Sequence, residues 1–522
     1  MNTPKTPARA LLVLTVVWAL NACGYTGFTA EPTPQKNQTT PTPIQLGIDT
    51  ETALQTTTNH PLQASVNITD ENPAAVSLSA QSSNQTLVSD DQLTFNGTGA
   101  QRTLRFTPSP GVTGDGVITV TAKSAQAVEN ADIAVTVAPA FDETPQTFES
   151  AMTNNDEYGH DVAVSGDYAI VGAFERTVSG ATEAGAAVIL ERSGGTWTQS
   201  AQLTASDADA FDHFGYSVAL SDAVAVIGAP GDKAEGSDAG AVYVFELNGG
   251  TWQQTVKLTA SDAANNARFG SSVAIAEGSI IVGALEKTVD SKTEAGGAYI
   301  FERQPDGWTE RALLTSDQPS AGNNFGVAVA IAGNRAVVGE HLRDVNGDAQ
   351  AGVVTVFEQQ GGTWTQTAQI SADQPEANAT FGLAVDMAGD NLIIGAPREG
   401  QEDTGSAYVF HHQSGVWNQT AELNTSGAST NDFFGTAVSI SGDYAVVGAL
   451  NEDANGVTNA GSARVYKWDG SQWRLLTAIL PESVQTDGRF GVSVAISGDL
   501  AIVGAPQGGM NPPAGKASIF TR

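Results

Sequence analysis

The sequence predicts an all-β protein: a seven-bladed β-propeller closed by pairing of its N-terminal and C-terminal strands, preceded by a small β-sandwich. Three observations predict it. Glycine is abundant, at 56 of 522 residues, and short period-two alternations broken by turn residues replace any long amphipathic helical pattern. From about residue 140 the chain repeats itself: an aromatic–Gly pair recurs at Tyr158, Phe214, Phe269, Phe325, Phe381, Phe434 and Phe490, in steps of 53 to 56 residues. Finally, the last repeat stops one strand short, while an orphan strand-like segment precedes the first.

Residues 1–22 read as a lipoprotein signal peptide. Met1 to Arg9 carries Lys5 and Arg9 and no acid, and "ALLVLTVVWAL" (Ala10 to Leu20) is an apolar run too short to span a bilayer comfortably. It ends in "LNAC", which resembles the lipobox of bacterial lipoproteins. The resemblance implies that Cys23, the single cysteine, becomes an acylated N-terminus, and Gly24 after it points to the outer membrane. The alternative is an ordinary secreted protein with an incidental free thiol. Residues 23–43 follow as a tether: "EPTPQKNQTTPTP" is rich in Pro and Thr and too polar to nucleate a core.

Residues 44–138 read as a sandwich of about seven short strands. "AVSLSA", "VITVTAKS" and "ADIAVTVA" alternate with period two, and "PSPGVTGDG" reads as a dense turn between strands. The stretch "LRFTPSPGVTGDGVITVTAKS" resembles bacterial Ig-like and cadherin-like domains, which implies a spacer.

Residues 139–522 hold the repeats. Three residues after each aromatic–Gly pair stands a Val (Val162 to Val494), and ten residues later a Gly (Gly172 to Gly504). Between them lies a tight turn such as "SGDY", so each repeat opens with a hairpin. A variable loop and a third strand follow, as in "AGAVYVF" (Ala239 to Phe245). Six copies continue with a fourth, Trp-bearing strand; its Trp residues, 197, 252, 308, 364, 417 and 473, each stand 17 residues before the next aromatic–Gly pair. The seventh copy ends at "KASIFTR". Counting 17 back from Tyr158 reaches Phe141, so residues from about 140 to 150 are expected to pair with Lys516 to Thr521, with Phe141, Ile519 and Phe520 closing the ring. Closure removes the open sheet edges that invite aggregation.

"FGYSVALSDAVAVIGAP" (Phe214 to Pro230) and "FGVSVAISGDLAIVGAP" (Phe490 to Pro506) resemble FG-GAP repeats, the propeller repeats of integrin alpha-subunit heads and of many bacterial surface proteins. The resemblance implies a propeller and, in many members, a D-x-D-x-D-G calcium loop inside the first hairpin. Here that hairpin is reduced to "SGD" or "AGD", too short for a cage. Oxygen-rich text stands instead in the later loop: Asp344, Asn346 and Asp348 in one copy, Asp453 and Asn455 in another. These are candidate Ca²⁺ ligands; any exposed turn uses the same residue types.

The chain carries 57 acidic and 24 basic residues, a formal charge of −33. Such a surface repels phosphates and argues against nucleic acid as a partner. No catalytic constellation is announced. The histidines, at 60, 160, 213, 341, 411 and 412, form no i,i+4 ligand pair on a helix, and His411 and His412 follow a strand, where neighbours point to opposite faces. Ligand-contacting residues cannot be assigned from the sequence. The expectation is a non-enzymatic protein of the bacterial cell envelope, attached to the membrane through its lipid only. Its propeller loop face would bind a protein or a glycan. The alternative is an extracytoplasmic lyase or hydrolase acting on polysaccharide, which requires His, Tyr, Arg or carboxylates clustered at the mouth of the propeller channel.

Overall fold

The computed structural model describes residues 45–48, 53–57, 62–70, 72–109, 112–125, 127–138, 145–149, 156–233, 235–400, 402–425, 429–454, 456–506 and 515–522. The signal-like run and the tether lie outside them, as do Cys23, Phe141 and Asn455. Among the described residues no helix is long and apolar enough to cross a membrane.

Eight strands precede the repeats: β1 (Gln45–Ile48), β2 (Ala53–Thr57), β3 (Leu62–Thr69), β4 (Ser77–Ser82), β5 (Thr94–Asn96), β6 (Gln101–Phe106), β7 (Gly114–Lys123) and β8 (Val128–Ala138). They form two four-stranded sheets, ordered β1-β3-β6-β5 and β2-β8-β7-β4. Val66, Leu104, Val120 and Ile133 are inaccessible to solvent in the single core between them. The alternation seen in sequence is the cause, since every second side chain of β3 and β7 points inward. One expectation needs correcting. Gly114 to Gly116 are not a turn; they open β7, paired with Val137 to Val135. A Cβ on Gly116 would stand 3.3 Å from Asn84 Cβ, so glycine here makes room for a neighbour.

The repeats build seven four-stranded sheets. Blade 1 has strands Val162–Ser165, Tyr168–Ala173, Ala186–Ser193 and Thr196–Leu203. Blades 2 to 6 repeat it over 217–258, 269–314, 329–370, 384–423 and 434–479. The first strands of successive blades contact one another around a complete circle, the last against the first, so they line the axis. Burial changes outward from there. The third strand of blade 1 buries five residues in succession, whereas the outer strand alternates. A strand covered on both faces by neighbouring blades reads as continuously apolar; a half-exposed one does not. The six outer strands running from Thr196–Leu203 to Trp473–Ile479 each break register at the same place, as between Ile189 and Leu190. Such a bulge twists an exposed edge away from other chains.

The aromatic of each aromatic–Gly pair wedges between blades. Phe214 is fully buried and meets Tyr243 and Phe245 edge-on at 5.4 and 6.0 Å. The Gly ending each second strand lies against the next blade: a Cβ on Gly172 would stand 2.1 Å from Gly215 O, and one on Gly504 would stand 2.1 Å from Gly159 O. That last contact joins blade 7 to blade 1, so the frame closes on itself.

The closing strand, β9 (Gln146–Glu149), supplies the outer strand of blade 7. It pairs antiparallel with Lys516–Thr521, placing Phe148 opposite Ala517 and Gln146 opposite Ile519. Thr147 and Ser518 hydroxyls lie 3.0 Å apart, and Lys516 Nζ stands 2.7 Å from Glu149. Ile519 and Phe520 are buried, Phe520 edge-on to Phe490 at 6.3 Å. Phe148 faces Ala517 as Leu203 faces Ala187 in blade 1. The apolar side chain seen in the seam is therefore Phe148; Phe141, to which the Trp spacing points, stands before the described part of this strand.

Candidate functional site

In each blade the loop joining strands two and three and the connection leaving strand four emerge at the same end, because four antiparallel strands alternate direction. One face of the ring gathers these segments by construction. It is stitched by backbone bonds repeated from blade to blade. The residue just before six of the core aromatics donates its amide to the preceding blade's loop, as His213 does to Glu183 O (3.1 Å) and Arg268 to Asp238 O (3.1 Å). That residue is left-handed in all seven copies: Glu157, His213, Arg268, Asn324, Thr380, Phe433 and Arg489 have φ between +49° and +57°. A left-handed β-branched residue such as Thr380 is uncommon; sevenfold recurrence shows that the frame imposes the conformation.

Charges beneath these loops tie blades together. Arg176 pairs with Asp156 at 3.0 Å, both side chains almost wholly buried. Lys287 reaches back to Asp262 (2.8 Å), which also accepts a hydrogen bond from Tyr299 (2.5 Å). Arg343 reaches Asp317 (2.9 Å) and Glu340 (3.2 Å). Blade 2 inverts the signs: loop residue Asp232 is held by Lys257 (2.7 Å) and Tyr243 (2.8 Å). Blade 5 has an acid on both sides, Glu399 in the loop and Glu422 at the strand position where blade 2 has Lys257. Glu399 accepts a hydrogen bond from Tyr408. Burial, then the charges of Glu422 and Glu376, push its carboxyl up to about 7.

One junction on this face differs from the rest. Between blades 1 and 2, His160, Phe174, His213 and Tyr216 form a connected cluster of rings. His160 lies 4.5 Å from Phe174 and 4.9 Å from Tyr216, and Phe174 lies 5.6 Å from His213 and 5.3 Å from Tyr216. Burial drops the His160 imidazole to about 4 and raises the Tyr216 phenol, so both are neutral at neutral pH. A cavity of about 390 Å³ opens over Phe174, His213 and Tyr216, with Phe211, Glu183 and Arg268 among its walls. That volume is in the range of ~300–1,000 Å³ typical of small-molecule sites. His213 Nε2 stands 3.3 Å from Glu183 Oε2, and Arg268 Nε 3.2 Å from Glu286. Burial, then the charges of Glu157 and Glu183, raise the Glu175 carboxyl at the same cavity. The rings offer flat apolar faces, and hydrogen-bonding groups of both kinds surround them. The sequence reading put both histidines in turn or packing roles; in the structure His213 borders this cavity, while His160 is packed against two of its rings, Phe174 and Tyr216. The signal that could have found it is a column of repeats read at a fixed offset. Two residues after each core aromatic stand His160, Tyr216, Ser271, Val327, Leu383, Thr436 and Val492, aromatic only at this junction.

The remaining sequence-predicted residues fall elsewhere. Asp344, Asn346 and Asp348 sit in a miniature hairpin: Val345 and Asp348 exchange backbone hydrogen bonds of 3.0 and 2.9 Å, with Asn346 and Gly347 left-handed between them. The Asp344 carboxylate accepts the Gln350 amide at 2.9 Å. In blade 6, Asp453 likewise accepts the Asn459 amide at 3.0 Å. The same small hairpin recurs at Val178–Ala181 and Val289–Lys292, so these oxygens are engaged in turn geometry. Among the described residues no three His, Cys, Asp or Glu side chains converge as a metal set.

Comparison with known proteins agrees with the repeat count. The FG-GAP repeat family matches seven times, at residues 150–190, 197–245, 252–301, 308–357, 364–410, 417–466 and 473–520. From the second on, each match begins at the Trp of an outer strand, so the sequence repeat is offset by one strand from the structural blade; that offset is what β9 makes good. The chain matches none of the curated proteins. Among solved structures it is similar to a quinonprotein alcohol dehydrogenase-like protein from Bacteroides thetaiotaomicron, at 9% identity and TM-score 0.36, over 85% of this chain and 99% of that one. It is also similar to domains 4 and 5 of the S-layer protein SbsC, at 12% identity and TM-score 0.15, over 18% of this chain and 51% of that one, so it spans about half that fragment. The N-terminal Ig1-2 module of the Drosophila receptor protein tyrosine phosphatase DLAR matches at 10% identity and TM-score 0.15, over 30% of this chain and 96% of that one. These likenesses are too distant to speak to function. Seven matched repeats spanning well over half the sequence are not: the chain belongs to the FG-GAP repeat family.

Proposed function

We propose that the protein is a lipid-anchored binding or adhesion protein of the bacterial envelope, displayed at the outer membrane or cell surface, whose propeller loop face is its ligand platform. The observation that carries this reading is the contrast on that face: the same backbone bonds repeat at the six junctions from Phe214 to Phe490 while the side chains they present change. Rigid scaffolds that vary their loops are a common way to build recognition surfaces. The anchor rests on "LNAC" at Leu20 to Cys23, and the Pro- and Thr-rich segment after it suits a tether. The eight-stranded unit would act as a spacer. Its strand order, with β1-β3-β6-β5 facing β4-β7-β8 and a parallel β2, is how immunoglobulin-type sandwiches are connected.

Two measurements test it. Metabolic labelling with a radioactive fatty acid should mark the wild type and not Cys23→Ser; equal labelling, or none in either, removes the anchor. A protein and glycan binding screen of the mature chain, with and without a calcium chelator, should return a ligand. Loss of binding on chelation would assign a Ca²⁺ role, with the loops of Asp344 and Asp453 the first to examine.

A second reading, a polysaccharide lyase or hydrolase, is favoured by one observation: His213, Tyr216 and Arg268 meet at one cavity. An imidazole and a phenol at one cavity are residue types used in general acid–base catalysis. Ultraviolet-absorbing unsaturated products, or new reducing ends, released from acidic or neutral polysaccharides and absent in His213→Gln would establish it.

A further inference from the structure

We infer that the cavity between blades 1 and 2 is a subsite for an uncharged saccharide ring, with Phe211 as its stacking platform. This rests on the reading of the loop face as a binding platform and names the ligand class of one place on it.

Phe211 provides the first argument. Three residues before six of the core aromatics, the chain adopts a left-handed turn whose amide bonds to the preceding blade's loop. Phe211 donates to Thr182 O at 2.9 Å, Asn266 to Ser237 O at 2.7 Å, Gly322 to Thr293 O at 3.0 Å and Asn378 to Ala349 O at 2.8 Å; Asn431 and Asp487 make the same bond. All are left-handed, with φ from +56° to +79°. Asn, Gly and Asp tolerate that conformation and are what five of these six positions hold. Phe does not tolerate it well, yet Phe211 stands there at φ +68° with 49% of its surface exposed. A strained backbone that presents a large ring to water, where neighbouring copies use a small polar residue, gains nothing in packing; strain of this kind clusters at ligand sites.

The second argument is the company Phe211 keeps. Its ring borders the same cavity as Phe174, His213 and Tyr216; at the other junctions aromatics stand singly at these offsets, as Phe433 and His341 do, and are not combined. Acceptors stand around them on Glu175, Glu183 and Asp238, and a donor on Arg268. This mixture selects by elimination. Three carboxylates, on a chain of formal charge −33, oppose phosphate, sulfate or a uronate. Arg268 is paired with Glu286 (3.2 Å), so a cationic guest is a competitor, set aside if a neutral saccharide binds and both variants weaken it. A neutral pyranose needs what is present: flat aromatic faces for its C–H surface, and acceptors and donors for its hydroxyls. An uncharged segment of a partner protein is the other competing occupant, and the experiment separates it from a saccharide.

The mature chain and two variants, Phe211→Asn and Tyr216→Ser, would be applied to an array of neutral oligosaccharides (short β-glucans, β-galactans, mannans and N-acetylglucosamine oligomers). Affinity for any positive would then be measured by titration calorimetry. Both substitutions copy residues that blade 3 already carries at these positions (Asn266 and Ser271), so the frame should be undisturbed, which circular dichroism and melting would verify. The expected result is wild-type binding weakened roughly tenfold or more in each variant, the scale of removing an aromatic anchor. Saccharide binding retained in both variants overturns this subsite and leaves the loop-face reading standing. Binding confined to proteins, with no saccharide taken, overturns it likewise. A chain that takes neither saccharide nor protein overturns both readings.

Discussion

At the junction of blades 1 and 2, Phe211 and His213 donate their amides to Thr182 and Glu183; at the junction of blades 2 and 3, Asn266 and Arg268 donate theirs to Ser237 and Asp238. The torsions match as closely as the bonds, +68° and +57° against +60° and +52°. What the two junctions present differs completely. One gathers Phe174, Phe211, His213 and Tyr216 around a cavity, with His160 packed against Phe174 and Tyr216; the other offers Asn266, Arg268, Ser271 and Leu285. Main-chain bonding and interlocked glycines have taken over the structural work, which leaves the outward side chains free to diverge. The same division appears beneath the face, where blade 2 joins Asp232 to Lys257 and blade 5 sets Glu399 beside Glu422.

The comparison breaks most severely if the shared frame is damaged. Gly185 has φ +87°, and a Cβ there would stand 2.0 Å from Phe214 O. Gly185→Ala should cost roughly 3 kcal/mol or more, from steric conflict with backbone that cannot yield. Gly194 also has positive φ but open space around it, so Gly194→Ala should cost only about 1 kcal/mol. Denaturant midpoints for the pair would show whether close approach or torsion dominates.

Glu399→Gln should have the next largest effect, and its sign depends on pH. The carboxyl is raised from 4.5 to about 7 in the folded state. Between these values the folded chain holds a proton that the unfolded chain has released, so this group's contribution falls as pH rises through the window. Above it, the Gln variant should exceed wild type by roughly 1–3 kcal/mol, with the difference vanishing below about 4.5. Glu422→Lys, which copies blade 2, should shift the Glu399 titration downward. A flat difference between Gln variant and wild type across pH would show that blade 5 does not hold an unpaired acid.

His160 acts in the opposite direction. Burial lowers its imidazole from 6.5 to about 4, so the unfolded chain gains a proton first and stability falls as pH drops through that interval. His160→Gln should flatten this acid limb by on the order of 1 kcal/mol, read from melting temperatures at graded pH. Smallest of all, Phe211→Asn should raise stability by up to about 1 kcal/mol, because Asn accepts the left-handed torsion. A clear loss of stability would mean that the Phe211 ring packs in the frame and is not held out for a ligand.

Much of the architecture was legible because repeats report their own register. The Val and Gly columns mark the first hairpin, and the missing fourth strand after Phe520 announces β9. Phe148 was not legible, because the 17-residue spacing came from copies with a Trp and was carried to a segment without one. The "GDG" of β7 misled because glycine serves both turns and close approaches. The acids around Asp344 and Asp453 read equally as metal ligands or turn-formers, a choice that depends on which way each carboxylate points. The aromatic junction was half legible: the column Phe211, Asn266, Gly322, Asn378, Asn431, Asp487 stands in the sequence, but that these positions share a left-handed torsion, and that Phe211 borders a cavity with Phe174, His213 and Tyr216, emerges only in three dimensions.

The whole arrangement of the loop face depends on the ring being closed by β9. The direct measurement is thermal unfolding of two truncated chains, one beginning at residue 139 and one at residue 153. The first keeps Gln146–Glu149 beside Lys516–Thr521 and should melt cooperatively, close to the full-length protein. The second leaves blade 7 without its outer strand and should melt many degrees lower or aggregate. Equal melting temperatures for the two would contradict a ring closed in this way.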